Sequence, residues 1–150
     1  MTDAVLAPLV GRTIRRIRRA NYVLPDGGRE RREGPVELSL DDGSVMLLDS
    51  GADGESLRVR AGEWRDPFPE PLIEENRAFL AEAGRWTAFD VSADEDYHRL
   101  IGSPIREVRP KEWHGRTIGV DLVTPGGTLA AEVVADELHV DVITRGGGSG

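Results

Sequence analysis

The amino-acid sequence predicts an α+β, β-rich fold. It reads as two diverged copies of a short helix–strand–hairpin–strand unit sharing one core with a central helix at about 71–83. Three observations carry this expectation. Apolar and polar residues alternate in several short runs, glycine-containing turns separate those runs, and one part of the chain resembles another in the order of its elements.

The internal likeness comes first. Leu9-Val10-Gly11-Arg12-Thr13-Ile14-Arg15-Arg16-Ile17-Arg18 aligns with Leu100-Ile101-Gly102-Ser103-Pro104-Ile105-Arg106-Glu107-Val108-Arg109 at an offset of 91. Val36-Glu37-Leu38 aligns with Val120-Asp121-Leu122 at an offset of 84, and Gly43-Ser44-Val45 meets Gly127-Thr128-Leu129 in that register. Leu57-Arg58-Val59 meets Leu138-His139-Val140 at an offset of 81. The offset falls while the order holds, as expected of a duplication whose loops have shortened.

Each unit then reads alike. A helical turn over 4–10 ends at Gly11, and one over 93–101 ends at Gly102, glycine being the usual C-terminal cap. Ser92 with Glu95 fits a capping box for the second turn. The segments carrying Ile14/Ile17 and Ile105/Val108 read as strands, because Pro104 argues against a helix interior. In unit one Val36, Leu38 and Leu40 lead through an Asp42-Gly43 turn to Val45 and Leu47. In unit two Ile118, Val120 and Leu122 lead through Gly126-Gly127 to Leu129, Ala131 and Val133. A last strand carries Leu57 and Val59, or Leu138, Val140 and Val142. Such alternation buries one face and wets the other.

Between the units, Pro71 suits a first helical turn, and Leu72, Ile73, Phe79, Leu80 and Ala83 form an apolar stripe. Glu70, Glu74 and Glu75 lie near the positive end of this helix and Gly84 follows its last turn. Residues 86–91 read as a strand with Trp86 and Phe89 in the core. The organisation is one domain over 1–144: unit one at 2–65, connecting helix and strand at 66–91, unit two at 92–143. The Gly/Ser-rich 145–150 reads as a flexible tail.

Composition narrows the classes. The chain has 150 residues, enough for one core. It has no cysteine, which excludes a disulfide framework or a thiolate metal site and suits the cytoplasm. Its beginning lacks the basic and apolar regions of a signal peptide, and no apolar run reaches the ~20 residues that cross a bilayer. Lys111 is the sole lysine, and the Arg, Ala, Gly and Val usage points to a GC-rich bacterial genome. The net charge of −8 is uneven: residues 1–34 hold eight arginines against four acids, and the remainder holds 11 basic and 23 acidic side chains. An acidic body discourages general affinity for nucleic acid or membrane and favours a basic protein partner.

Motifs for chemistry are missing. His98, His114 and His139 form no HExxH and no pair on one helix face. No GxSxG, P-loop or dinucleotide fingerprint occurs. Asp49-Ser50-Gly51-Ala52-Asp53-Gly54-Glu55 resembles half a calcium loop, but position twelve is Arg60 where a bidentate Glu is needed, so it reads as a strand connection. Tyr97-His98 beside Asp94, Glu95 and Asp96 is the one acid/base cluster, and also reads as the polar side of a capped helix.

Two groups remain as binding candidates. Arg12, Arg15, Arg16, Arg18 and Arg19 form the only basic stripe; they bind an anion such as phosphate, or line the wet face of a strand and pair with neighbouring acids. Trp64 lies beside the turn-rich 65–69 and Trp113 sits in a predicted loop at 110–115, and with Asp49, Asp53 and Glu55 they form the candidate partner surface; such tryptophans anchor an interface or plug the end of a core. The expected function is therefore a non-catalytic, acidic protein-binding module without cofactor or metal. In size and charge it resembles the small acidic bacterial proteins that neutralise toxins. The rivals are an Arg-stripe nucleic-acid binder and a small enzyme using the Tyr97 cluster. Unpaired sheet edges permit a homodimer.

Overall fold

The computed structural model describes residues 6–68 and 71–144. The tail at 145–150, the start of the first helical turn and Glu70 lie outside them. The fold is strand-rich, with two antiparallel sheets and few helices, consistent with the β-rich α+β class.

The first sheet contains β1 (Ile14–Val23), β2 (Val36–Leu40), β3 (Val45–Ser50), β4 (Leu57–Ala61) and β5 (Arg85–Asp90), in the order β4-β3-β2-β1-β5. The second contains β6 (Glu107–Trp113), β7 (Arg116–Thr124), β8 (Gly127–Val134) and β9 (Glu137–Ile143), in sequence order. The alternation read from the sequence sets the buried faces. Leu129, Ala131 and Val133 point inward on β8 while Thr128, Ala130 and Glu132 do not. Ile14, Ile17, Val36, Leu38 and Leu48 of the first sheet join Val120, Leu122, Leu129, Leu138 and Val140 of the second in one apolar cluster.

The β1–β2 and β6–β7 registers correspond. Ile17 faces Leu38 and Arg18 faces Glu37 across β1 and β2; Val108 faces Leu122 and Arg109 faces Asp121 across β6 and β7. The outer pairs differ by one residue: Leu48 faces Val59 across β3 and β4, whereas its counterpart Glu132 faces His139, and Val140 faces Ala131, across β8 and β9.

Backbone hydrogen bonds tie the sheets at two main places, and the Asp136 N–H of the β8–β9 turn adds a bond to the Gly54 carbonyl at 3.3 Å. Beside β1, the Gly11 N–H donates to the Ile105 carbonyl at 2.7 Å and the Gly102 N–H to the Ile14 carbonyl at 2.7 Å. Likewise the Ile105 N–H donates to the Arg12 carbonyl (2.8 Å) and the Ile14 N–H to the Ser103 carbonyl (3.2 Å). Under the offset of 91, each of these bonds maps onto its counterpart. Gly11 and Gly102 hold φ of +89° and +79°, the left-handed region that ends a helical turn and lets the chain double back. On the other side, the Gly34 N–H donates to the Leu138 carbonyl and the Val140 N–H to the Arg32 carbonyl, each at 2.8 Å, so the outer edge of β9 is capped by residues 32–34.

Several expectations are corrected. The central helix, α1 (Glu74–Ala83), does not share the core: Leu80 is its only buried residue, and Phe79 and the preceding Ile73 are 57% and 61% exposed. The physical reason is that the sheets bury their inner faces on each other and leave no apolar face for the helix to cover. The second helical turn shrinks to α2 (Glu95–His98), and the capping box is not made. Ser92 Oγ instead accepts from the Ile17 N–H at 2.9 Å, fastening this segment to β1. The segment 110–115 is not a loop. β6 runs through Pro110 to Trp113 and turns at His114-Gly115, both at positive φ (+50° and +77°). Proline is tolerated there because β6 is an edge strand. Trp86 and Phe89 are half-buried, and only Phe89 packs against the core cluster.

Candidate functional site

Two adjoining cavities open where the β1–β5 side of the first sheet meets β9. The larger, about 370 Å³, is lined by Tyr22, Glu30, Glu33, Trp86 and Glu137. The smaller, about 300 Å³, shares Trp86 and Glu137 and adds Asp49, Trp64, Arg65 and two prolines. Together they form a groove walled by three aromatic rings and four carboxylates.

Each wall follows from strand geometry. Tyr22 and Trp86 are cross-strand neighbours on β1 and β5, with ring centroids 5.6 Å apart at 72°, an edge-to-face pair. Tyr22 Oη donates to the Ala83 carbonyl, which holds its ring to the end of α1. Gly34 lies beneath Trp86: a Cβ there would sit 2.9 Å from the indole and 1.9 Å from the Ala20 carbonyl, at a φ of +122°. Only glycine lets the chain pass under the ring.

The carboxylates have cations near them but no close ion pair in the groove: the charge of Arg32 acts on Glu30 and Glu33, those of Arg58 and Arg60 on Asp49, and that of His139 on Glu137. The Glu137 carboxylate makes no hydrogen bond or ion pair among the described residues. Burial pushes its carboxyl above the ordinary range, and the charges of Glu33 and Asp49 push it further. Burial likewise raises Asp49, against the Ser50 N–H that its side chain accepts at 2.8 Å. Glu33 has His139 Nε2 at 3.9 Å, and Arg65 lines the smaller cavity.

Trp64 is positioned by a residue outside the groove. Its backbone N–H donates to Glu37 Oε2 at 2.9 Å, and Glu37, 2% exposed, is gripped by Arg18 Nε and Nη2 at 2.7 and 2.6 Å. Burial alone would raise the Glu37 carboxyl; the Arg18 and Trp64 hydrogen bonds outweigh it and hold the group below its ordinary value.

The arginine stripe is largely occupied. Arg12 lies 3.7 and 3.5 Å from Asp41 and Asp42, and Arg16 lies 3.1 Å from Asp90. Arg19 is 1% exposed and donates to the carbonyls of Arg31, Arg32, Gly34 and Pro35 and to Tyr97 Oη. Arg15, beside a bulge in β1, is exposed and forms no ion pair among the described residues.

The other candidates lie apart. Asp53 accepts from the N–H groups of Glu55 and Ser56 and from Ser56 Oγ, which holds its carboxyl at about 2 and closes the β3–β4 connection. Glu55 pairs with Arg116 of β7. Trp113 ends β6 and is 63% exposed, packed only edge-on against His114 at 4.6 Å. The groove thus unites Asp49 and Trp64 and leaves out Asp53, Glu55 and Trp113. It adds Tyr22, Glu30, Glu33, Trp86 and Glu137, which lie on segments distant in sequence. The signal that reveals them is the β1–β5 register, which sets Tyr22 opposite Trp86.

A separate cleft of about 440 Å³ holds the acid/base cluster. Its lining includes Arg29, Arg31 and Arg32 from the β1–β2 connection, Asp94, Glu95 and Asp96 from the start of α2, and Tyr97 and Arg19. Arg29 stacks over Phe89 at 3.5 Å, and its buried Nη1 has no hydrogen-bond partner. His98 does not line the cleft; its Nδ1 lies 3.3 Å from the Ser92 carbonyl. Among the described residues no group of three His, Asp or Glu side chains is arranged to hold a metal ion, and no helix is long and apolar enough to cross a membrane.

No family model matches the chain, and no solved structure matches it. The chain is similar to Cilia- and flagella-associated protein 43 of Chlamydomonas reinhardtii, 29% identical over 123 residues. The match covers 66% of this chain and spans about 7% of that protein. That relative is eukaryotic, which corrects the expectation of a bacterial protein drawn from residue usage.

Proposed function

We propose that this domain is a non-catalytic protein-recognition module that docks a basic segment of a partner in the acidic aromatic groove. The observation that carries the reading is the groove itself: Tyr22, Trp64 and Trp86 beside Glu30, Glu33, Asp49 and Glu137, with Glu137 unpartnered among the described residues. A cation entering it relieves the repulsion among these carboxylates and meets aromatic faces that attract positive charge. The acidic body speeds the encounter with a basic partner. An inhibitory role, by covering the partner's basic surface, follows from the same geometry. The curated relative is by name associated with cilia and flagella, which accords with a binding role inside a larger assembly. We place the module in the cytoplasm on its lack of cysteine.

Duplication is part of the proposal. The reciprocal bonds of Gly11 with Ile105 and Gly102 with Ile14, and the matched registers of β1–β2 and β6–β7, support descent of the halves from one unit.

The test is affinity capture with the wild-type domain and with Glu33→Gln/Glu137→Gln as baits, after nuclease treatment and at moderate salt. A protein retained by the wild type and lost with the variant supports the reading. Retention of nucleic acid alone, fading steeply with salt, overturns it in favour of the arginine stripe.

A second reading, a small enzyme, is favoured by one observation. Tyr97 Oη accepts from buried Arg19 at 2.7 Å inside a cleft that also holds Asp94, Glu95 and Asp96. Turnover of a small molecule that vanishes in Tyr97→Phe would establish it.

A further inference from the structure

Resting on the reading of the groove as a docking site for a basic segment, we propose that its specific occupant is an arginine side chain of the partner, with the guanidinium lying against Trp86 and donating to Glu33 and Glu137.

Three features select arginine among cations. The larger cavity combines an aromatic pair, Tyr22 and Trp86, with the carboxylates of Glu30, Glu33 and Glu137. A trimethylated ammonium exploits aromatic faces but has no N–H to offer, so it leaves those carboxylates desolvated and unbonded. A lysine ammonium is a compact point charge that satisfies carboxylates but stacks poorly. A guanidinium does both: its flat face lies on indole while its five N–H donors fork toward separate oxygens.

The surrounding charges fit one added cation. Glu33 and Glu137 approach from the 32–34 segment and from β9, with Asp49 of β3 beyond Trp86. Facing them are His139, 3.9 Å from Glu33, Arg32, whose charge acts on Glu30 and Glu33 and whose backbone N–H donates to Glu30 Oε1 at 3.1 Å, and Arg58, Arg60 and Arg65 on the Asp49 side. The larger cavity has no arginine or lysine in its lining, so three carboxylates stand in excess there and suit one added cation.

The test uses four blocked peptides, acetyl-Gly-X-Gly-amide, with X as arginine, lysine, trimethyllysine or citrulline. Binding to the full chain is followed by the Trp86 indole N–H resonance, assigned by its loss in Trp86→Phe. Arginine is expected to bind tightest, with citrulline, its neutral isostere, at least about tenfold weaker. Glu137→Gln, with unchanged circular dichroism, is expected to weaken arginine about tenfold and leave citrulline unmoved. Citrulline equal to arginine, trimethyllysine binding tightest, or peptide shifts that avoid Trp86 would each overturn the assignment. A partner protein captured equally by wild type and Glu33→Gln/Glu137→Gln would sink this site and leave the recognition module standing. Arginine selectivity at Trp86 with no protein captured would do the reverse.

Discussion

Arg18 and Glu37 face each other across β1 and β2 and meet through two hydrogen bonds, from Nε at 2.7 Å and from Nη2 at 2.6 Å. The pair does more than neutralise a buried acid. The same Glu37 Oε2 that accepts from Nη2 also accepts from the Trp64 backbone N–H, so an arginine of the basic stripe positions a tryptophan of the groove. Its role is internal, and the anion it holds belongs to the protein.

Glu37→Ala is expected to cost about 3 kcal/mol in urea unfolding, because it strands a partly buried guanidinium and frees a backbone N–H. The pH dependence has a definite sign. Folding lowers the Glu37 pKa, so its contribution is complete above the unfolded carboxylate value and fades as pH falls through the lowered folded value. Glu37→Ala should therefore lose less stability than the wild type on acidification, and equilibrium unfolding at stepped pH checks this.

Glu137 behaves oppositely. Its folded pKa is raised, so the folded state holds the proton more tightly than the unfolded chain does. The charged form weakens the fold at neutral pH, and that penalty fades as pH falls through the raised value toward the unfolded one. Glu137→Gln is expected to be more stable than wild type by roughly 0.5 kcal/mol at pH 7, the scale of like-charge repulsion across a sheet. The difference should vanish at acid pH; thermal melts across the range measure it. Greater stability with weaker binding would be the trade-off of a site built for a ligand.

Arg19→Lys should be costly despite keeping the charge. Arg19 donates to four carbonyls and to Tyr97, and an ammonium with three donors on a single point cannot reach all of them. A loss of about 3 kcal/mol is expected. Hydrogen exchange should accelerate selectively at the Gly34 and Val140 amides, whose bonds join the first sheet's 32–34 segment to β9. Uniform acceleration across both sheets would show instead that the arginine has no local role.

Gly34→Ala puts a methyl group 1.9 Å from the Ala20 carbonyl in a backbone region that side chains rarely adopt. A destabilisation of about 3 kcal/mol or more is expected. Because the new carbon also meets Trp86 at 2.9 Å, tryptophan fluorescence of the surviving folded fraction should shift. An unmoved spectrum would mean that the indole is not seated on this glycine.

The strands were legible because a half-buried strand writes its orientation into every second residue, as Val36, Leu38 and Leu40 or Leu138, Val140 and Val142 show. The Asp42-Gly43 turn was legible for the same local reason, Gly43 sitting at a φ of +88°. The helix was misplaced because its stripe of Ile73, Phe79 and Leu80 states only that an apolar face exists. Whether another face covers it depends on what the sheets have already buried. Pro110 obscured β6 because its penalty depends on whether the strand is an edge, a fact of sheet order that no local window contains. The groove was legible only in Asp49 and Trp64. Tyr22, Trp86 and Glu137 are brought together by pairings spanning much of the chain, and each alone reads as an ordinary strand residue.

The order of strands has a consequence for assembly. All five strands of the first sheet end by Asp90, and all four of the second begin after Arg106. Each sheet is thus drawn from one contiguous stretch of chain, the second from neighbours in sequence and the first with β5 returning to pair with β1, and docking of one sheet on the other joins the two stretches. The segment 91–106 acts as a tether for that step, replacing a concentration-dependent encounter between two chains with an intramolecular one. In kinetic terms the molecule is a dimer whose dissociation has been abolished by a peptide bond.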